Sequence, residues 1–192
     1  ILLLGANPRA SIFGQLSTRP RGLEELRAAR AQGGKLVLVD PRQTETATVA
    51  DEHLAITPAT DTFFLLALIH TIVSEKLCDA AFIAKYCCNF DALASAVDGF
   101  TPERVAECTN IPAASIRRVA RSFAHAGGGF VLGNTGVTQQ RHATVNEWSI
   151  CVLNAISGNI DRPGGAYYNP GVVHYPHPKS IIDHRHPSRF GH

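Results

Sequence analysis

The sequence has no methionine, one tryptophan and no Cys-x-x-Cys pair. It lacks Gly-x-Gly-x-x-Gly, which disfavours a standard NAD-binding domain, because the close approach to a pyrophosphate uses that glycine spacing. Gly-x-x-x-x-Gly-Lys-Ser/Thr is missing too, which argues against a P-loop nucleotidase. Neither a Gly-x-Ser-x-Gly elbow nor a His-Glu-x-x-His helix occurs, so no serine triad and no zinc-protease site is readable. The longest apolar stretch, residues 63–73, contains His70 and Thr71 and falls well short of the roughly 20 residues that span a bilayer. A basic leader with a small-residue cleavage site is not visible. The five cysteines (Cys78, Cys87, Cys88, Cys108 and Cys151) show no zinc-ribbon or cluster-binding spacing. Adjacent Cys87 and Cys88 allow a redox pair, and the plainer expectation is buried free thiols on helices.

What is present is the composition of a folded domain. Of 192 residues, 45% are hydrophobic and 18% charged, and the net charge is +2, which excludes disorder and carries no nucleic-acid signal. Sixteen glycines and eleven prolines follow no period, so collagen-like repeats are excluded. The chain opens on Ile1 inside an apolar run, as if entered in mid-fold, and reads as a fragment of a longer polypeptide.

Residues 1–4 form a short apolar run that ends in Gly5-Ala6-Asn7-Pro8, a strand followed by a turn. Residues 22–30 are helix formers stopped by Gly33-Gly34, and residues 35–39 form a buried strand broken by Asp40-Pro41-Arg42. That strand–helix–strand unit has the size of a parallel βαβ element. Residues 53–56 predict a third strand. Pro58-Ala59-Thr60-Asp61 opens a long buried helix that Thr60 or Asp61 is placed to cap. Helical patterns follow over residues 79–97, from Thr101-Pro102-Glu103, and over 115–125. Residues 130–132 predict a fourth strand, and Gly133-Asn134-Thr135-Gly136 a tight turn. The next helix, 145–156, carries Val145, Trp148, Val152 and Ile156 on one side. The expected fold is α/β, a Rossmann-like open and mostly parallel sheet with helices on both faces, over residues 1–170. Residues 171–192 form a tail in which five of the nine histidines sit among prolines and arginines.

In open α/β sheets, ligands lie beyond the carboxyl ends of the strands. Three such ends are turns with accessible backbone: Gly5-Ala6-Asn7-Pro8, Asp40-Pro41-Arg42 and Gly133-Asn134-Thr135-Gly136. They suit anionic or phosphate-bearing ligands. Asp40 can accept from a ribose diol or from the N–H edge of guanine, and Arg42 can pair with a phosphate or stack on a base. The plain alternative is that Asp40 caps the turn before Pro41 and Arg42 is solvated. Asp61 allows the same two readings. His70, inside an apolar helix, reads as a satisfied core histidine, and His142 sits in a polar turn that allows a ligand contact.

The ordered series resembles a known family. It comprises Gly5-Ala6-Asn7-Pro8, Val39-Asp40-Pro41-Arg42-Gln43-Thr44-Glu45-Thr46-Ala47, Ala50-Asp51-Glu52-His53-Leu54 and Pro58-Ala59-Thr60-Asp61. It continues through Phe100-Thr101-Pro102-Glu103, Thr109-Asn110-Ile111-Pro112, Gly133-Asn134-Thr135-Gly136-Val137-Thr138-Gln139 and Gly158-Asn159-Ile160-Asp161-Arg162-Pro163-Gly164-Gly165. Over residues 1–170 this is similar to the molybdopterin oxidoreductases of the dimethyl sulfoxide reductase superfamily, formate dehydrogenases and nitrate reductases among them. The resemblance implies one α/β domain of a multidomain enzyme that carries molybdenum or tungsten on two molybdopterin guanine dinucleotides. It implies backbone contacts from Gly5, Asn7 and Ser11, and base and ribose contacts from Asp40 and Arg42 with Thr44 nearby. A further nucleotide contact falls on Thr60 and Asp61, and pterin-side contacts on Thr135, Gly136 and Gln139. A small-molecule substrate and an electron-transfer subunit or other redox partner are implied, with no nucleic acid and no membrane span.

The metal ligand, and any iron–sulfur cluster, are implied to precede Ile1, and no cysteine here matches a ligand position. The family's Pro-Gly is Pro58-Ala59 here. The arginine expected of formate dehydrogenases has no match in Ala166-Tyr167-Tyr168-Asn169-Pro170-Gly171. Two rivals stand beside this reading: a non-catalytic structural relative such as the large iron–sulfur subunit of NADH dehydrogenase, and a generic nucleotide-binding module.

Overall fold

The computed structural model describes residues 1–11 and 22–166. The expected histidine-rich tail lies outside the described residues. Among the described residues four strands occur, each three residues long: β1 (Leu2–Leu4), β2 (Val37–Val39), β3 (Glu52–Leu54) and β4 (Val131–Gly133). They lie side by side in the order β3-β2-β1-β4, every pair parallel. The helices are α1 (Gly22–Ala31), α2 (Asp61–Ser74), α3 (Ala80–Tyr86), α4 (Phe90–Val97), α5 (Pro102–Thr109), α6 (Ala113–Ala124), the single turn α7 (Thr135–Thr138) and α8 (Ala143–Ile156).

Alternation along each strand separates two cores. Leu2, Leu4, Val39 and Val131 enter the larger core with α2, α6 and α8. Leu3 and Leu38 point the other way and pack with Leu26 of α1. The sheet is therefore covered on both faces, as parallel sheets are. α2 is the central strut, with Phe64, Leu65, Ile69 and Ile72 fully buried. It follows β3, so its first turn stands at the carboxyl edge of the sheet. Around it, Thr101 caps α5 by accepting from the Arg104 amide at 3.3 Å, with Pro102 behind it as expected. From α6, Arg117, Arg118 and Arg121 each grip a carboxylate on another element: Glu103 of α5, Glu52 of β3 and Glu75 at the end of α2.

The structure differs from the sequence expectation at α8. Val145 and Trp148 of the apolar stripe are exposed, and the buried face instead holds Asn146, Ser149, Ile150, Leu153 and Asn154 beside Ile156. Two of these polar residues replace bonds that the fold lacks elsewhere. β4 is an edge strand, and Asn154 completes it as a further strand would. Its Oδ1 accepts from the Val131 amide at 2.9 Å, while its Nδ2 donates to the Val131 carbonyl at 3.0 Å. The thiols also depart from expectation. Cys88, Cys108 and Cys151 are exposed, only Cys108 and Cys151 lie on helices, and burial pushes the half-buried Cys78 thiol up to about 11.

Asn154→Ala strips both bonds from a buried backbone unit. A loss of about 2–4 kcal/mol in urea unfolding is expected, the cost of leaving a buried donor and acceptor unpaired.

Candidate functional site

Because all four strands run the same way, the turns after β1, β2 and β4 and the start of α2 share one edge. The chain adds β2 and β3 on one side of β1 and β4 on the other, so the direction of strand addition switches between β1 and β4. That is where open α/β sheets place ligands. Here the two turns are in direct contact. The Gly136 amide donates to the Gly5 carbonyl at 3.0 Å, and the Gly5 amide donates to the Val39 carbonyl at 2.9 Å. A methyl group on Gly136 would stand 2.7 Å from the Gly5 Cα, and one on Gly5 would stand 2.8 Å from Gly136, where φ at Gly5 is +53° as well. Both glycines are required by this backbone contact.

Side chains tie the other turns to this joint. Asn7 donates to Glu45 at 2.7 Å and accepts from Thr46 at 2.8 Å, so its side chain binds the β1 turn to the 3-10 turn Glu45–Thr48 that follows β2. The Ser11 amide is committed to the Asn7 carbonyl, and Ser11 itself is exposed. The amides of Ala6 and Asn7 make no hydrogen bond within the described residues.

Beyond β2, half-buried Asp40 accepts from the Arg42 amide at 2.9 Å, a local turn bond that leaves most of its acceptor capacity open. The Arg42 guanidinium is exposed and only loosely paired with Glu45, at 3.9 Å. Thr44 is 4% exposed, and its hydroxyl has no hydrogen-bond partner. A buried hydroxyl without a partner costs stability, and among the described residues Thr44 shares this state with Ser149, Ser157 and Asn159, which lie on or just after α8.

Thr60, the N-cap of α2, makes no side-chain capping bond, while the Asp61 carboxylate accepts from its own amide in the first turn. The Thr60 hydroxyl instead donates back to the Thr57 carbonyl at 2.7 Å. Asp61 is 3% exposed and accepts from Gln140 Nε2 at 2.7 Å. Burial pushes its carboxyl above the usual range and the neighbouring Asp40 charge adds to this, against the Gln140 hydrogen bond. Ala59 adopts φ +66°. The chain thus keeps the left-handed turn into Thr60 although its residue disfavours it.

After β4 the expected tight turn is the single helical turn α7. Thr135, Gly136 and Gln139 are exposed along it. Gln140, which the sequence reading passed over, turns inward and donates to both Asp61 and the Gly136 carbonyl. Behind it, buried Asn146 accepts from Thr62 and donates to the Val137 carbonyl at 3.1 Å, fixing α7 to α2. The structure therefore gathers Gly5, Asn7, Asp40, Thr44, Asp61 and Gly136 along one edge. His70, by contrast, bonds the Val97 carbonyl between helices, and His142 is exposed at the start of α8.

Comparison with known proteins shows the family. The family model "Molybdopterin oxidoreductase" matches residues 1–177. The chain belongs to that family. Formate dehydrogenase H of Escherichia coli (strain K12) is 36% identical over 135 residues, 70% of this chain and 19% of that protein. The thiosulfate reductase molybdopterin-containing subunit PhsA of Salmonella typhimurium is 37% identical over 153 residues, 79% of this chain and 20% of that protein. The structure of acetylene hydratase from Pelobacter acetylenicus superposes with a TM-score of 0.72 at 30% identity, over 82% of this chain and 21% of that one. The chain spans about a fifth of the length of these relatives. Among the described residues, no helix is long and apolar enough to cross a membrane.

Two outcomes follow. Ala59→Gly relieves the left-handed strain and should raise stability by about 1 kcal/mol in urea titration. For Asp61 the sign runs against the usual carboxylate. Its folded-state value is raised, so as pH climbs past the ordinary value the unfolded chain loses its proton first and stability falls. The penalty is complete once pH exceeds the folded-state value. Asp61→Asn, which keeps an acceptor for Gln140, should therefore be more stable than the parent at pH 7 and lose that advantage below the ordinary carboxylate range.

Proposed function

We propose that residues 1–170 are the dinucleotide-gripping domain of a molybdenum- or tungsten-dependent oxidoreductase whose cofactor is bis-molybdopterin guanine dinucleotide. The observation that carries this is a pair of neighbouring carboxylates, Asp40 and Asp61, at the carboxyl edge of a parallel sheet. Among the described residues no cation is a hydrogen-bond partner of either, and the unpartnered Thr44 hydroxyl lies in the same loop as Asp40. Such a pair calls for neutral donors. Guanine offers N1–H and N2–H₂ on one edge, a ribose offers two hydroxyls, and adenine presents an acceptor at N1 instead.

The residues fit that ligand. Asp61 takes the guanine edge, with Thr60 beside it, and Asp40 takes the ribose diol. Arg42 is free to reach a phosphate, and Thr44 gains the partner it lacks. The unbonded amides of Ala6 and Asn7 face the phosphates, and Thr135, Gly136 and Gln139 line the side toward the pterin. When bound, the cofactor supplies a metal at which a small-molecule substrate is oxidised or reduced or exchanges an oxygen atom. This chain's part is to hold and orient it. The metal ligand, any iron–sulfur cluster and the contact with an electron-transfer partner fall to polypeptide outside the matched fifth. PhsA, named as a molybdopterin-containing subunit, supports a partner of that kind.

Two measurements test this. Metal analysis of the longer parent protein, with guanosine monophosphate released by acid hydrolysis, should give molybdenum or tungsten and about two nucleotides per metal. Absence of both from a folded sample prepared in a cofactor-competent host overturns the reading. Thr44→Val and Asp40→Ala should both weaken guanosine diphosphate binding while the fold is retained. Thr44→Val should do so at no cost to the stability of the free protein, because its hydroxyl makes no internal bond.

A further inference from the structure

Gln140 has a role that neither the motif series nor the family match assigns. Its side-chain amide has two N–H groups, and the structure commits both: one to Asp61 Oδ2 at 2.7 Å, the other to the Gly136 carbonyl. Gly136 is itself locked to Gly5, so Asp61 is referred through one amide to the rigid junction of β1 and β4. No other side chain bonds Asp61 among the described residues. A carboxylate has about four acceptor positions, so the bond from Gln140, together with that from the Asp61 amide, orients the group and leaves room for two from a base.

We infer that Gln140 is the positioning residue that aims the Asp61 carboxylate at the base, and that through it the site prefers guanine to adenine. The inference rests on the proposed dinucleotide site and adds to it a determinant of selectivity. The physical step is simple. A buried carboxylate without this donor rotates and is disfavoured as an anion, and either change weakens bonds from guanine N1–H and N2–H₂. Adenine makes no such pair of bonds, so its affinity does not depend on how Asp61 is held. A purely structural role for Gln140 would instead weaken both nucleotides alike.

The test is isothermal titration of guanosine and adenosine diphosphates into the 192-residue chain, beside Gln140→Met, Gln140→Leu and Asp61→Asn, with circular dichroism to confirm folding. Gln140→Met keeps the length of the side chain and removes only the donors, so it remains informative if the leucine variant does not fold. The expected result is a parent that prefers the guanine nucleotide, and a Gln140→Met chain that binds it about tenfold more weakly with adenine nucleotide affinity unchanged. That is the effect of one hydrogen bond to a charged group. If both nucleotides weaken together in Gln140→Met, or neither does, while Asp61→Asn abolishes the preference, the assignment of Gln140 is overturned and the site reading stands. A parent that does not prefer guanine, or an Asp61→Asn chain that keeps the preference, overturns the site reading itself and the inference with it.

Discussion

Gly5 and Gly136 touch backbone to backbone, and the geometry of the carboxyl edge follows from that contact. Strands of three residues give little length over which to define a sheet, and their turns would otherwise be set only by local preference. Here the turn after β1 and the turn after β4 are bonded to each other and to β2 through Val39. Asn7 then fastens the Glu45–Thr48 turn, and Gln140 fastens the start of α2. Four loops separated by long stretches of sequence become one surface. A side chain at either glycine has no room there, since the atoms in its way are backbone.

Electrostatics sets that surface apart from the rest of the molecule. Four carboxylates elsewhere are paired with arginine: Asp51 with Arg30, Glu52 with Arg118, Glu75 with Arg121 and Glu103 with Arg117. Arg117 holds Glu103 down to about 2, and Asp51 and Glu75 are lowered in the same way. These pairs are largely exposed, and each contributes little to stability. Asp40 and Asp61 are treated in the opposite way. They neighbour each other, Asp61 is buried, and among the described residues arginine serves only through the Arg42 backbone amide. An arrangement that costs the free protein stability and wastes acceptor capacity is ordinary for a site completed by a ligand.

The strand ends were legible because each apolar run stops at glycine or at Asp-Pro, and turn chemistry is local. So was the buried α2, which is apolar almost all round. α8 was misread for a reason that periodicity cannot register. Asn146 and Asn154 are buried because they hydrogen-bond the backbone of α7 and β4, and they displaced Val145 and Trp148 from the inner face. The same limit separates Gln139 from Gln140. Adjacent glutamines are indistinguishable in composition, and only the end of the α7 turn decides which one reaches Asp61. Thr44 carried no sequence signal beyond its place in the motif, since an unsatisfied hydroxyl is a property of packing.

Ala59 shows how strongly the loop before Asp61 is determined. Glycine is the ordinary occupant of a left-handed position, and alanine there costs the chain about 1 kcal/mol. The turn is nevertheless retained, at φ +66°, two residues before the buried carboxylate. Local preference loses to the contacts on either side: the Thr57 amide bonds the Thr109 carbonyl, and Asp61 bonds Gln140. The three relatives bear on what such a rigid edge serves. Their names denote a formate dehydrogenase, a thiosulfate reductase and an acetylene hydratase, three different reactions, yet each shares this segment at 30–37% identity. What the segment has in common among them is therefore not the substrate. A fixed set of backbone contacts, acceptors and one orienting amide suits a part of the chemistry that stays constant while the substrate changes. On the reading proposed here, that constant part is the nucleotide end of the cofactor.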